Sequence, residues 1–376
     1  MLSAGAFAVN LDMRAVVPLL PNLAADLGVN IATAGLVATA YMLPYGVFQL
    51  VYGPLADRWG RLPIARGTLL VFVLGTTACG LAASFEALVA IRFLTGAVAA
   101  AAFPMGLAYI GDAFDYEDRP SALSVLLTTS AISQLLSLAL GGILADFVSW
   151  RAIFFLDGAL ALLILLGLFW IRGNERPAAH GGTLAAYCAV FGAGRRLIVI
   201  VLAFLEGMLL MGGMTFLGAY LRDRWELSYV VIGLCLGLYG AALVVSGRLL
   251  PWAARRISES SRFVIGGVLS VIGYLALAVV PSWQAAAVLM IPLGFGWTCA
   301  HSVLQARSTE ILPRARGTAI AVFACGLFMG GAAGTALIGG MIEQIGYQVT
   351  LAALGVLVIG FTVLGWWGIK TTAPSA

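Results

Sequence analysis

The chain is 376 residues long, 61% hydrophobic and only 10% charged, with 21 basic and 17 acidic residues for a net charge of +4. Soluble globular proteins carry about 25% charged residues, so water-soluble enzymes, nucleic-acid binders and disordered scaffolds are excluded and a multi-pass membrane protein remains. At about 20 apolar residues per crossing, the length holds about a dozen helices and leaves little for soluble domains.

Apolar runs broken by charge, Gly or Pro predict twelve spans, near 3–25, 31–53, 67–86, 87–110, 120–145, 151–171, 195–219, 228–250, 262–281, 283–309, 315–341 and 346–368. Helices are required, because in lipid only helices or closed barrels satisfy the backbone, and these runs are too long and uniform for barrel strands. The first run has no basic segment ahead of it and no small-residue cleavage site, so it is expected to be a retained helix. Within it, Pro18 leaves the Arg14 carbonyl without its helical donor, which predicts a bend. The longest connection lies at 172–194, where Pro177 and the pair Gly181-Gly182 break helix; the residues after Gly182 are expected on the membrane surface. It divides the chain into an N-terminal six-helix bundle (1–171) and a C-terminal one (195–376), an all-α integral membrane fold of two pseudo-symmetric halves.

An internal repeat supports the division. Gly53–Arg61 (GPLADRWGR) follows the second span and Gly247–Arg255 (GRLLPWAAR) follows the eighth, 194 residues later. Gly141-Gly142 in the fifth span returns as Gly339-Gly340 in the eleventh. Charge supplies the orientation. Twenty of the 21 bases are Arg, and Lys370 is the exception; with a cytoplasmic N-terminus, sixteen bases lie on the inner side and three (Arg151, Arg222, Arg224) on the outer. That asymmetry predicts cytoplasmic N- and C-termini in a bacterial-type inner membrane. The five cysteines are scattered without a CxxC, so neither a disulfide framework nor a metal site is expected.

The loop sequence Gly53–Arg61 resembles the signature that joins the second and third spans of the major facilitator superfamily. Leu88-x-x-x-Arg92-x-x-Thr95-Gly96-x-Val98-Ala99-Ala100 is similar to the fourth-span motif of its proton-coupled branches, and Trp150-Arg151-Ala-Ile-Phe154 opens the sixth span in a like manner. Pro18 to Gly28 resembles the first span of drug-proton antiporters and sugar-efflux permeases. Two departures stand out. The fifth span has Ser137-Leu138 where the antiporter motif has Gly-Pro, and Pro251 stands where Asp57 would repeat.

Ionisable groups inside spans are costly, by about 2.5–3.5 kcal/mol on insertion scales, and are functional hypotheses by default. They are Asp12, Arg14, Arg92, Asp157, Glu206 and His301. Asp12 and Glu206 are 194 residues apart, the same offset as the loop signature, and each lies about 16 Å along its span. The resemblance implies that these spans line a central cavity. A carboxyl that alternates between wet and dry surroundings takes up and releases protons, which would couple transport to a proton gradient; the alternative is a carboxylate held permanently by a buried Arg. The fourth-span motif implies that Arg92 joins the coupling as a fixed charge. Arg14 lies about 200° round the helix from Asp12, so both cannot face one cavity; it either holds an anionic group of the substrate or pairs with an acid elsewhere. Asp157 is expected to serve packing on a peripheral helix, and His301 to bond a neighbouring helix.

Asn10, Tyr41, Tyr45, Gln49, Gln134, Met208, Trp297 and His301 join Arg14 as substrate-pocket candidates on spans that the resemblance places around the cavity. The resemblance also implies a cytoplasmic gate of Gly53, Asp57, Arg58, Gly60 and Arg61, with Asp57 docking on the eleventh span and the acids around Asp112 facing Arg61. The expected function is proton-coupled export of a small amphipathic or lipophilic compound by alternating access, by a monomer with the proton gradient as its energy source and neither cofactor nor nucleic-acid partner. Metabolite uptake by symport or facilitated diffusion, and lipid translocation, are the alternatives.

Overall fold

In the computed structural model, the structure describes residues 2–114, 118–170 and 184–371, and every regular element among them is helical. In chain order the helices are α1 (Leu2–Leu27), α2 (Ile31–Trp59), α3 (Arg61–Gly80), α4 (Phe85–Ala99), α5 (Ala102–Ala113), α6 (Arg119–Phe147), α7 (Arg151–Trp170), α8 (Leu184–Phe191), α9 (Ile198–Glu206), α10 (Gly212–Thr215), α11 (Leu217–Trp225), α12 (Tyr229–Arg256), α13 (Glu259–Val279), α14 (Trp283–Ser308) and α15 (Arg316–Thr371). Among the described residues, eleven continuous helical stretches are long and apolar enough to cross a membrane, and the last of them, Pro313–Thr371, is 59 residues. Gly346, at φ 77° and ψ 170°, breaks α15 in two, close to the predicted 341–346 boundary. A side chain there would strain the turn.

Successive spans run up and down, so their turns alternate between two faces. On one face Asn30, Ser84, Ser228 and Ser282 each accept a hydrogen bond from a backbone amide three residues on, ending the loop and starting the helix. This is termed the Asn30 face. The opposite, Gly60 face carries the α2–α3 turn, where Gly60 takes φ 87°, and Ser258, which caps α13.

Two spans depart from continuous helix for identifiable reasons. The predicted span 87–110 is split into α4 and α5 around Ala100-Ala101; Pro104 has no amide to offer the Ala100 carbonyl, and its ring crowds that carbonyl. The predicted span 195–219 runs on to Trp225 and contains a π turn, Gly207–Met211, between α9 and α10. The extra residue in that turn loosens the carbonyl ladder. The Tyr274 hydroxyl, from α13, donates to the Leu209 carbonyl at 3.1 Å and lies 3.4 Å from that of Leu210.

The first six spans pack among themselves through α1 with α2, α6 and α7, and through α3 with α4 and α7; the last six do so through α13 with α14 and α15, and α12 with α14. Across the halves, α2 lies along α15, α6 along α12 and α1 along α11. Small residues allow these approaches: a Cβ on Gly233 would lie 2.8 Å from the Leu138 carbonyl oxygen, and one on Gly46 3.2 Å from that of Cys325. On the Asn30 face Asp146 of α6 accepts from the Val230 amide in the first turn of α12, at 2.7 Å. Large apolar side chains such as Leu163 (67% exposed) and Val363 (61%) point outward, a pattern suited to lipid. Most of the predicted linker, residues 171–183, lies outside the described residues. Its described end forms α8, where Val190 is buried and the Tyr187 hydroxyl donates to the Leu50 carbonyl at 2.7 Å.

Candidate functional site

The two acids of the internal repeat each meet a base. In the first half, α1 and α4 bring Arg92 Nη1 to 2.6 Å from Asp12 Oδ2, with both side chains fully buried. The guanidinium lies 4.1 Å from the centre of the Tyr41 ring and 5.6 Å from that of Phe154, so apolar and aromatic matter replaces water around it. Gly96, one turn on from Arg92, lets α4 press onto α2, since a side chain there would collide with the Tyr41 carbonyl. Ser133 and Ser137 of α6 donate to the Phe7 and Leu11 carbonyls, 2.5 Å each, and fix the turn of α1 that leads into Asp12.

In the second half, Glu206 ends α9 immediately before the π turn. Its Oε2 lies 3.1 Å from His301 Nδ1 on α14; Glu206 is fully buried, whereas the His301 side chain is 22% exposed. His301 stacks on Trp297 (centroids 5.1 Å apart, planes at 13°) and tilts against Phe323 at 5.8 Å. The glycines of α15 support this arrangement. A Cβ at Gly330 would overlap the Phe204 carbonyl, and one at Gly334 the Met208 carbonyl, so the run beginning at Gly326 serves close backbone packing around Glu206. The repeat is therefore one of pairs as well as of acids: span one with span four, and span seven with span ten.

Arg14 and Asp12 part company as their 200° separation requires. Arg14 is half-buried and makes no ion pair among the described residues. Its electrostatic partner is Tyr239 of α12, which also lies within electrostatic reach of Glu206. Arg14 of the first half and Glu206 of the second thus both lie within electrostatic reach of Tyr239. Of the two options for Arg14, pairing with an acid is not what the structure has.

The remaining pocket candidates divide. Trp297 and His301 join the Glu206 cluster, and half-buried Met208 lies in the π turn. Tyr41 departs from the expectation of a cavity-facing residue: it is fully buried beneath Arg92, because a desolvated guanidinium needs a face to lie against. Tyr45 stacks on Tyr41 at 6.0 Å and meets Phe328 of α15 at 4.4 Å, across the two halves. Gln49 is buried, Gln134 is half-buried, and Asn10 donates to the Ala6 carbonyl at 2.7 Å. A cleft of about 400 Å³ lined by Ser3, Leu62, Tyr109, Ile110 and Ser121 lies elsewhere, among α1, α3, α5 and α6.

The predicted gate is only partly in view. Gly60 makes the α2–α3 turn, Arg58 is exposed with Cζ 5.9 Å from the Trp59 ring centre, Arg61 opens α3, and Gly53 faces open space. The side chains of Asp57 and Asp112 lie outside the described residues, as do Asp115 and Glu117. On the Asn30 face, Asp26 accepts from Trp150 Nε1 at 2.9 Å and from Arg151 Nη1 at 2.6 Å, uniting two sequence motifs that stand 124 residues apart.

Sequence reasoning named both acids, Arg92 and His301 without pairing them. It missed Tyr239 and Tyr274. A tyrosine in an apolar span is an ordinary packing residue until the helix facing it is known.

The model of the Major Facilitator Superfamily matches residues 2–314. The MFS-type transporter YceJ of Bacillus subtilis is 26% identical over 341 residues, covering 89% of this chain and 86% of that protein. The puromycin resistance protein of Streptomyces alboniger is 31% identical over 349 residues, covering 88% of this chain and 65% of its own length. Among solved structures, a bacterial homologue of the human lysosomal transporter Spinster, inward-facing and unoccupied, matches 100% of this chain and 98% of its own at TM-score 0.79. Its 16% identity makes that a likeness of fold.

Proposed function

The chain belongs to the Major Facilitator Superfamily, transporters and not enzymes, and from that premise we propose that it is a proton-coupled exporter of small organic compounds, working by alternating access. The observation that carries the reading is the Glu206–His301 pair: a fully buried acid against a base whose side chain is partly exposed. His is the side chain whose unperturbed titration falls nearest neutral pH. A proton taken up by this pair weakens its hold on whatever occupies the centre, and its loss restores it. Asp12 and Arg92 form the second coupling pair, in which Arg92 keeps its charge throughout and only the acid changes.

The substrate lies between the halves near Arg14, Tyr239, Trp297 and Met208. A mixture of Met, aromatic groups and few polar ones suits an amphipathic or lipophilic compound. The unpaired Arg14 favours one that also carries a hydrogen-bond acceptor or an anionic group. The resistance protein among the similar chains supports export as the direction. With the Gly60 face cytoplasmic, as the arginine distribution supports, the α6–α12 contact at Asp146 and Val230 closes the outer side, and Asp57 with its partners acts at the inner gate. The protein works as a monomer in a bacterial inner membrane, with both termini cytoplasmic and the proton gradient in place of any cofactor.

Purified protein in liposomes, with puromycin as the first probe, tests this. Flux that rises with an imposed pH gradient and collapses when a protonophore is added is the expected result. Flux indifferent to the gradient would replace the reading with facilitated diffusion, and headgroup-dependent lipid flipping without solute flux would replace it with lipid translocation.

A further inference from the structure

Nine buried side-chain polar atoms among the described residues make no hydrogen bond, and six of them belong to four residues: Asp12 Oδ1, Thr76 Oγ1, Arg92 Nε and Nη2, and both oxygens of Asp157. Native interiors rarely leave buried polar atoms unpartnered, so such a concentration calls for a cause. The four come from α1, α3, α4 and α7. Asp157 is 1% exposed and lies within electrostatic reach of both Asp12 and Arg92. Helical spacing explains why. Phe154, three residues earlier on the same face of α7, lies 5.6 Å from the Arg92 guanidinium. Gly158, the next residue, brings α7 against α3, where any side chain would collide with the Thr77 hydroxyl.

The ionisable groups facing Asp157 can be named helix by helix. α1 supplies Asp12, α2 the Tyr41 phenol and α4 Arg92, and the Cys79 thiol of α3 lies within electrostatic reach of Asp12 and Arg92. On α6 the hydroxyls of Ser133 and Ser137 are turned to α1, where they donate to backbone carbonyls. Tyr41 and Cys79 are neutral in such surroundings, which leaves two carboxyls and one guanidinium. Arg92 is already engaged, through Nη1, with Asp12. A second ionised carboxylate in this dry site would be an uncompensated buried charge, which is strongly disfavoured.

We propose that Asp157 is a proton-holding residue of the first half: with Arg92 bound to Asp12, the Asp157 carboxyl carries a proton, and the two acids exchange Arg92 by exchanging that proton. In the exchange the Asp157 O–H bond breaks and its proton passes to the Asp12 carboxylate as that carboxylate leaves Arg92. The new Asp157 carboxylate accepts from Arg92, and Asp12, with the proton it has received, becomes the neutral acid. Net charge is the same before and after. The site thereby takes up a proton on α1 and gives one up on α7 without ever burying an unpaired charge. This extends the proton-coupled reading above to a residue that nothing in the sequence motifs assigns, and its test does not depend on transport.

Infrared spectroscopy of the full-length protein in liposomes at neutral pH, with and without ¹³C-aspartate, provides that test. A protonated-carboxyl C=O stretch that shifts with the label is expected in the wild type and absent from Asp157→Asn. In Asp12→Asn it is also lost, because Asp157 then ionises against Arg92. A merely structural Asp157 would not respond to a change at Asp12. No protonated-aspartate stretch in the wild type, one that persists in Asp157→Asn, or one that survives in Asp12→Asn would each overturn the proposal. So would a stretch abolished when sodium replaces choline in the buffer, since the cluster would then be holding a metal cation. If the stretch behaves as expected while pH-driven flux is absent, the transport reading fails and this one stands.

Discussion

The two halves carry the same device in different states of hydration. Asp12 and Arg92 are both fully buried, with aromatic rings against the guanidinium, whereas Glu206 is buried but its partner His301 retains a 22% exposed side chain. The bases differ as much as the surroundings, because Arg stays protonated at any accessible pH and His does not. A repeat that conserves the position of an acid thus leaves each half free to choose how it is neutralised. In the first half the base is a fixed charge and only acids can change; in the second the base facing the acid is a histidine.

The comparison can be broken most severely at Arg92. Arg92→Leu strands two acids, Asp12 and Asp157, in an apolar site, and stability is expected to fall by about 3–5 kcal/mol, seen as a large drop in the thermal midpoint of the purified protein. Asp12→Asn leaves the charge balance of the site intact by way of Asp157 and is expected to cost much less. Equal losses in the two variants would show that the first half holds its charge in some other way.

Exchanging the bases sharpens the contrast. His301→Arg turns the second pair into a permanent one; the protein is expected to fold, and gradient-driven flux to drop at least tenfold, equivalent to about 1.4 kcal/mol. Glu206→Gln should lower gradient-driven flux similarly while leaving the thermal midpoint near the wild type, since the amide keeps the shape and a bond to His301. Flux in either variant that follows the gradient as the wild type does would remove the second half from the coupling.

Smaller effects probe the supports. Tyr274→Phe leaves the Leu209 carbonyl in the π turn without its donor, for an expected loss of about 1 kcal/mol, measured by denaturation in detergent. Asp146→Ala removes a hydrogen bond to the first turn of α12, worth about 0.5–1 kcal/mol. Accessibility labelling of cysteines introduced on the Asn30 face is expected to increase by a few fold.

Much of this architecture was legible in the sequence because the bilayer imposes it. Uniform apolar runs had to be helices, and their ends followed Gly, Pro and capping residues: Gly346 and Ser228 lie within a few residues of predicted boundaries. The break before Pro104 and the π turn after Glu206 were not foreseen, since both depend on how a backbone responds to neighbours. The candidate site shows the same division. Depth along a helix placed Asp12 and Glu206, yet rotation about the helix decides what each one meets. Arg92 and His301 were recognised as single residues, and their pairing came only with the packing of spans one on four and seven on ten. Asp157, expected to serve packing alone, owes its new reading to two unpartnered oxygens, which no sequence pattern displays.

The central claim is that protons are coupled through Glu206 and His301. The most direct measurement is gradient-driven flux in proteoliposomes for the wild type and Glu206→Gln, with exchange flux at equal pH as the internal control. The account predicts that the variant keeps exchange and loses the response to the gradient. A variant that still concentrates the transported compound in proportion to the imposed gradient would contradict it.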